Sequence, residues 1–152
     1  MNPQHRPDGI DPAARTRARR RAVQALYAWE LGGNPMHKVI DDFRAEQDMQ
    51  IADLEYFEDL LRGVEAHRQE LDAGLAPYLD REIARVDPIE RAALRLAAYE
   101  LKYRLDVPYR VVLNEAVEVS KRFGSEQGHT YVNGVLDKLA RQWRTTESAG
   151  SP

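Results

Sequence analysis

Cysteine is missing from all 152 residues, which removes disulfides, thiol catalysis and thiolate zinc sites together and fits a reducing cytosol. Long apolar runs are missing too, and nothing approaches the roughly 20 residues that a membrane span requires. An arginine-rich stretch leading into Ala22 to Leu31 has the outline of a secretory leader, but Gln24 and Glu30 interrupt its apolar part. The expectation is a soluble, cytoplasmic protein with no membrane partner.

Catalytic signatures are equally scarce. Gly32-Gly33 and Gly124-Ser125 have neither the glycine spacing nor the following lysine of a phosphate loop, and they read as helix stops. His5, His37, His67 and His129 have no second ligand at a helical offset, so no metal or other cofactor is expected. Glu115 and Glu118 lie three apart and read as a solvated acidic face. There is no Gly-x-Ser-x-Gly, no Ser/His/Asp ordering and no methyl-donor motif. By elimination the chain binds rather than catalyses, and no enzyme activity is expected.

What the chain does have is helical periodicity, with no alternating β-branched run long enough for a strand. The expected class is all-α, with about seven helices. The first runs from about Pro12 to Leu31, with Ala18, Ala22, Leu26 and Trp29 along a stripe segregated from its arginines. A second carries Val39, Ile40 and Phe43, and a third Leu54, Phe57, Leu61 and Val64. Leu71, Leu75 and Leu79 mark a fourth, ending near Pro77 to Asp80 or kinking on toward Val86. At Asp87-Pro88-Ile89-Glu90, Asp can cap a helix, Pro can take its first position and Glu can reach back. This fifth helix, to Leu105, has two apolar stripes and is the candidate central helix. Two more carry Val112 to Phe123 and Val132 to Trp143. Residues 1–12 and 145–152 read as disordered tails around a body at 13–144.

Charge is unevenly distributed. Five of the seven residues from Arg15 to Arg21 are arginine, although the chain carries net charge −3. The first thirty-one residues hold six arginines against Asp8, Asp11 and Glu30, a sum of +3, which leaves −6 for the rest. Such an asymmetry points that end toward a polyanion, either nucleic acid or an anionic membrane surface. On a helical wheel Arg17, Arg20, Gln24 and Tyr27 share one side. An aromatic beside guanidinium groups suits RNA, whose unpaired bases stack while arginine contacts phosphate. A solvated helix end for the arginines, and ordinary bundle packing for Tyr27, are the plain alternatives.

The segment Arg17 to Glu30, Arg-Ala-Arg-Arg-Arg-Ala-Val-Gln-Ala-Leu-Tyr-Ala-Trp-Glu, resembles the opening of the NusB family of bacterial transcription antitermination factors. Further matches follow in order: Asp87-Pro88-Ile89-Glu90-Arg91, Leu94-Arg95, Tyr99-Glu100-Leu101, Asp106-Val107-Pro108-Tyr109, Asn114-Glu115-Ala116 and Lys121-Arg122-Phe123-Gly124. Tyr131-Val132-Asn133-Gly134-Val135-Leu136-Asp137-Lys138 completes a resemblance over roughly residues 13 to 140.

The resemblance implies an all-helical fold of two subdomains, about 13–68 and 69–144. It implies pairing with NusE, a small-subunit ribosomal protein, and binding of boxA RNA in ribosomal RNA leaders. The complex would act within an RNA polymerase antitermination assembly with other Nus factors to suppress premature termination. A homodimer of the free chain is within the same expectation. Arg15, Arg17 and Arg19 match the family's RNA-binding end, Tyr27 an aromatic beside it, and Tyr131 a position near the RNA surface. Arg20 joins them on the wheel, although it and Arg21 extend the family's basic run. Thr130 stands where the family often has lysine. Glu90 matches an acidic residue that faces NusE. Two other readings stay open: a NusB-like RNA-binding module serving a ribosomal RNA methyltransferase, and a helical scaffold whose arginines confer only solubility.

Overall fold

The computed structural model describes residues 10–149 and contains seven α-helices and no strand among them. The chain divides into two compact units, one through Arg62 and one from Gly63. The expected tails at 1–9 and 150–152 lie outside the described residues.

In the first unit, helix α1 (Pro12–Gly32) starts where the Asp11 carboxylate accepts the amides of Ala13 (3.0 Å) and Ala14 (3.3 Å), with Pro12 at the first position. It stops at Gly33, whose φ of 77° is a left-handed conformation that glycine adopts without steric cost. Ala18, Ala22, Val23, Ala25 and Leu26 form its buried face. Arg19 is buried among them, only 3% exposed, so the expected segregation of arginines from the apolar stripe does not hold. Helix α2 (Met36–Arg44) buries Met36, Val39 and Ile40, and Phe43 stacks on Phe57 with ring centroids 6.2 Å apart. A 3-10 turn, Gln47–Ile51, then leads to Asp53, whose amide donates to the Ala14 carbonyl of α1 (3.1 Å).

Helix α3 (Leu54–Leu75) carries the expected third and fourth helices end to end, one on each side of a kink. The kink is at His67 (φ −115°, ψ 17°), whose ring stacks on Tyr103 at 4.1 Å and Tyr99 at 6.4 Å. Tyr99 lies so close to Gly63 that a Cβ there would fall 2.1 Å from the ring. Leu79 lies beyond α3, past a turn at Ala76–Tyr78. The unit boundary at Arg62/Gly63 lies inside α3.

Helix α4 (Pro88–Tyr103) is the central element of the second unit, packed by α5 (Tyr109–Phe123) and α6 (Gly128–Trp143). Ala93, Leu96, Leu94, Ala98 and Leu101 of its two stripes are all buried, each large aliphatic contributing about 1.5–3 kcal/mol. It ends two residues sooner than the apolar pattern predicts. Arg104 leaves the helical conformation (φ −114°, ψ 67°), and Leu105 is left 69% exposed. Arg95 holds Asp72 of α3 through two hydrogen bonds of 2.9 and 3.0 Å.

Thr145–Ala149, expected as tail, form a short helix, α7. Its anchor is Arg144, 6% exposed. That guanidinium donates to the carbonyls of Leu101 (2.7 Å), Val107 (3.0 Å), Glu100 (3.1 Å) and Arg104 (3.1 Å), and to the Glu147 carboxylate (2.7 Å). The carbonyls of Glu100 and Arg104 also accept the amides of Arg104 and Val107 (both 3.0 Å), so those that depend on Arg144 are Leu101, at the end of α4, and Val107 beyond it. Glu147 also accepts the Tyr109 amide at the start of α5 (2.8 Å). Burial pushes the Glu147 carboxyl upward, but the Tyr109 amide and Arg144 outweigh it and hold the group below the ordinary glutamate range. A depressed carboxyl contributes stability that is present above the ordinary range and lost as pH falls through the lowered value. Glu147→Gln should therefore lower stability at neutral pH and leave it less pH-dependent in acid than the parent. Urea unfolding at a series of pH values checks this; parallel acid limbs would contradict it.

Candidate nucleic-acid interface

The arginines of α1 divide into three groups. At about 100° per residue, Arg15 and Arg19 lie in the same arc as Ala18, Ala22 and Leu26, and both turn to the phenol of Tyr56 on α3. The Arg15 guanidinium lies 4.2 Å from the Tyr56 ring centroid, and the Arg19 guanidinium lies 5.2 Å from it and donates to the hydroxyl at 3.4 Å. Arg15 also pairs with Asp53 at 3.7 Å. These two side chains are stacked cations inside the first unit.

Arg21 lies at the edge of that arc. It forms an ion pair with Glu46, donates to the Gln24 side chain at 2.5 Å and approaches Asp48 at 3.9 Å, with its guanidinium 5.0 Å from the Phe43 ring.

Arg17 and Arg20 occupy the opposite side. Arg17 donates from Nε to the Ile51 carbonyl at 2.7 Å, which fixes the side chain while directing no carboxylate at it. Arg20 forms no hydrogen bond or ion pair with any described residue. Tyr27, on the same side, is 40% exposed and makes no ring contact with a described residue. Arg17, Arg20 and Tyr27 thus share the side of α1 opposite its buried arc, the two arginines half-buried and the ring exposed.

In the second unit, Tyr131 of α6 is half-buried. Its hydroxyl accepts the Asp80 amide at 3.3 Å, and the Arg81 guanidinium lies 5.5 Å from its ring centroid. Burial pushes the Tyr131 phenol above its ordinary value, so the hydroxyl stays un-ionised at neutral pH. Asp80 and Arg81 pair through two hydrogen bonds of 2.8 and 2.9 Å.

Glu90 does not close the expected capping box. Asp87 caps α4, accepting the amides of Ile89 (3.0 Å) and Glu90 (3.3 Å). The Glu90 carboxylate, on a residue 7% exposed, points away and accepts the Ser125 hydroxyl at 2.7 Å. It lies against Gly128, where a Cβ would come within 1.7 Å of Oε1. Glu90 thus supplies negative charge at the N-terminus of α6, which has no side-chain cap of its own.

Sequence reasoning missed Tyr56, Glu46, Asp48 and Ile51, the partners that divide the arginines of α1. For Arg15 and Arg19 a signal existed, since their wheel positions coincide with the buried arc. For Arg21 there was none, because its anionic partners come from a turn without periodicity. Among the described residues no group of three or more His, Asp or Glu side chains is arranged to hold a metal ion. No helix there is long and apolar enough to cross a membrane.

The NusB family model matches residues 16–141. A transcription antitermination protein NusB from Xanthomonas axonopodis pv. citri is 63% identical over 146 residues, covering 96% of this chain and 92% of the relative. One from Xanthomonas oryzae pv. oryzae is 63% identical over 148 residues, covering 97% and 95%. Among solved structures, T. maritima NusB is 29% identical with a TM-score of 0.75, covering 84% of this chain and 91% of that one. A crystal structure of antitermination factors NusB and NusE in complex with dsRNA contains a chain that is 27% identical with a TM-score of 0.75, covering 86% and 98%. By sequence over nearly its whole length, and by fold, the chain belongs to the NusB family.

Proposed function

We propose that this chain is an RNA-binding transcription antitermination factor that pairs with NusE and engages boxA RNA of ribosomal RNA leader transcripts. The observation that carries the reading is the side of α1 opposite its buried arc, which carries Arg17 and Arg20 and, about two turns beyond Arg20, the exposed ring of Tyr27. Guanidinium groups draw phosphates in a salt-dependent way, and an exposed aromatic offers a surface on which an unpaired base stacks. The acidic remainder of the chain repels RNA elsewhere and complements a basic partner.

Within this reading Arg17, Arg20 and Tyr27 touch RNA directly, Arg15 and Arg19 hold α1 on Tyr56 beneath that face, and Tyr131 contributes a second aromatic. Glu90 enters partner recognition through residues 124–127, the turn that its carboxylate holds by way of Ser125. Assembly with RNA polymerase and other Nus factors follows from joint occupancy of RNA and NusE. Fluorescence anisotropy with labelled boxA RNA, with and without NusE and at two salt concentrations, tests the reading. Expected are binding that weakens as salt rises and tightens with NusE. Affinity unmoved by salt and by NusE would reject it.

A further inference from the structure

The turn that follows α2 meets α1 at two arginines and treats them differently. Glu46, at its start, and Asp48 direct carboxylates at Arg21, whose guanidinium is also held by Gln24 and Phe43. Ile51, at its end, offers Arg17 only a backbone carbonyl, on Nε, and no described residue takes a hydrogen bond from the terminal nitrogens of Arg17. Glu46 and Asp48 are exposed, so their hold on Arg21 is weak in water and screened by salt. A phosphate offers the same guanidinium the same kind of oxygen acceptor.

Resting on the RNA-binding reading above, we infer that the Gln47–Ile51 turn, with Glu46, is an internal competitor for RNA. It withholds Arg21 from phosphate and positions Arg17 toward it. Glu46 and Asp48 thereby set how many arginines of α1 an RNA strand can neutralise.

The test is a salt titration of fluorescein-labelled single-stranded boxA RNA against the parent, Glu46→Gln/Asp48→Asn, and the same pair combined with Arg21→Gln. The replacements keep side-chain shape at exposed positions, and circular dichroism verifies the fold. Releasing one guanidinium should steepen the log–log salt slope by about 0.7, a gain of about fivefold in affinity for each tenfold dilution of salt. Adding Arg21→Gln should abolish that gain. An unchanged slope in the double variant overturns the inference while the RNA reading stands, and so does a gain of which half or more survives without Arg21, since loss of negative charge alone would explain it. A parent that binds no RNA removes the reading and the inference together.

Discussion

Arg144→Ala should lower the unfolding free energy by about 2–4 kcal/mol, because it removes a buried guanidinium on which backbone carbonyls depend. Five hydrogen bonds converge on this guanidinium, four of them from backbone carbonyls in or just after the last turn of α4. Removing it strands the Leu101 and Val107 carbonyls, since those of Glu100 and Arg104 keep backbone amide donors, and each unsatisfied buried group costs about 1–3 kcal/mol. For a chain of this length the loss corresponds to a fall of about 10 °C in Tm. Arg144→Lys should recover only part of it, because an ammonium has three donors and no planar fork. Urea unfolding of the three proteins decides the matter. A loss below about 1 kcal/mol for the alanine variant would mean that water replaces the guanidinium, and that the end of α6 does not hold α4.

Arg17→Glu combined with Arg20→Glu should abolish most RNA affinity with little effect on folding. The structural cost is small: Arg17 gives up one hydrogen bond to the Ile51 carbonyl, and Arg20 has no described partner to lose. The binding cost is large. Each phosphate contact on a single strand contributes about 0.7 to the salt slope, so losing two flattens it by about 1.4, or about 25-fold in affinity per decade of salt. The introduced carboxylates add repulsion. Arg19→Gln should behave in the opposite way, since Arg19 is buried against Tyr56 and its loss is felt in stability.

The contrast between Arg19 and Arg20 shows what the sequence could and could not reveal. Local signals set the helix ends, as Asp11, Gly33 and Asp87 illustrate, because a cap acts within a few residues of itself. Two neighbouring arginines look alike in composition, and only one faces a phenol thirty-seven residues away. The stripes of α4 were legible from Ala93 to Leu101, where each position they name is packed, and failed at Leu105, which is exposed. Its early stop was not, since it depends on carbonyls satisfied from Arg144, more than forty residues later. The same holds for α7, whose Thr-Thr-Glu-Ser-Ala sequence has no apolar period and whose Glu147 is tied to Tyr109 and Arg144. It holds also for the place of the kink in α3, at His67, whose ring stacks on Tyr103 of α4.

The family resemblance pointed to an arginine-rich end without ranking its members. The packing ranks them. Arg15 and Arg19 are held on Tyr56, Arg21 is held by acidic residues, and Arg17 and Arg20 lie half-buried on the side of the helix that carries Tyr27, with no carboxylate of a described residue against them. This ordering is a physical claim about which charges RNA meets, and it is separable from membership of the family.

The salt slope of boxA RNA binding, measured for the parent and for the Arg17→Glu/Arg20→Glu variant, addresses it most directly. A parent slope that falls by at least about 1.4 in a variant with parent-like circular dichroism and urea midpoint is the predicted result. An unchanged slope and affinity would contradict it and move the RNA contact away from this face of α1.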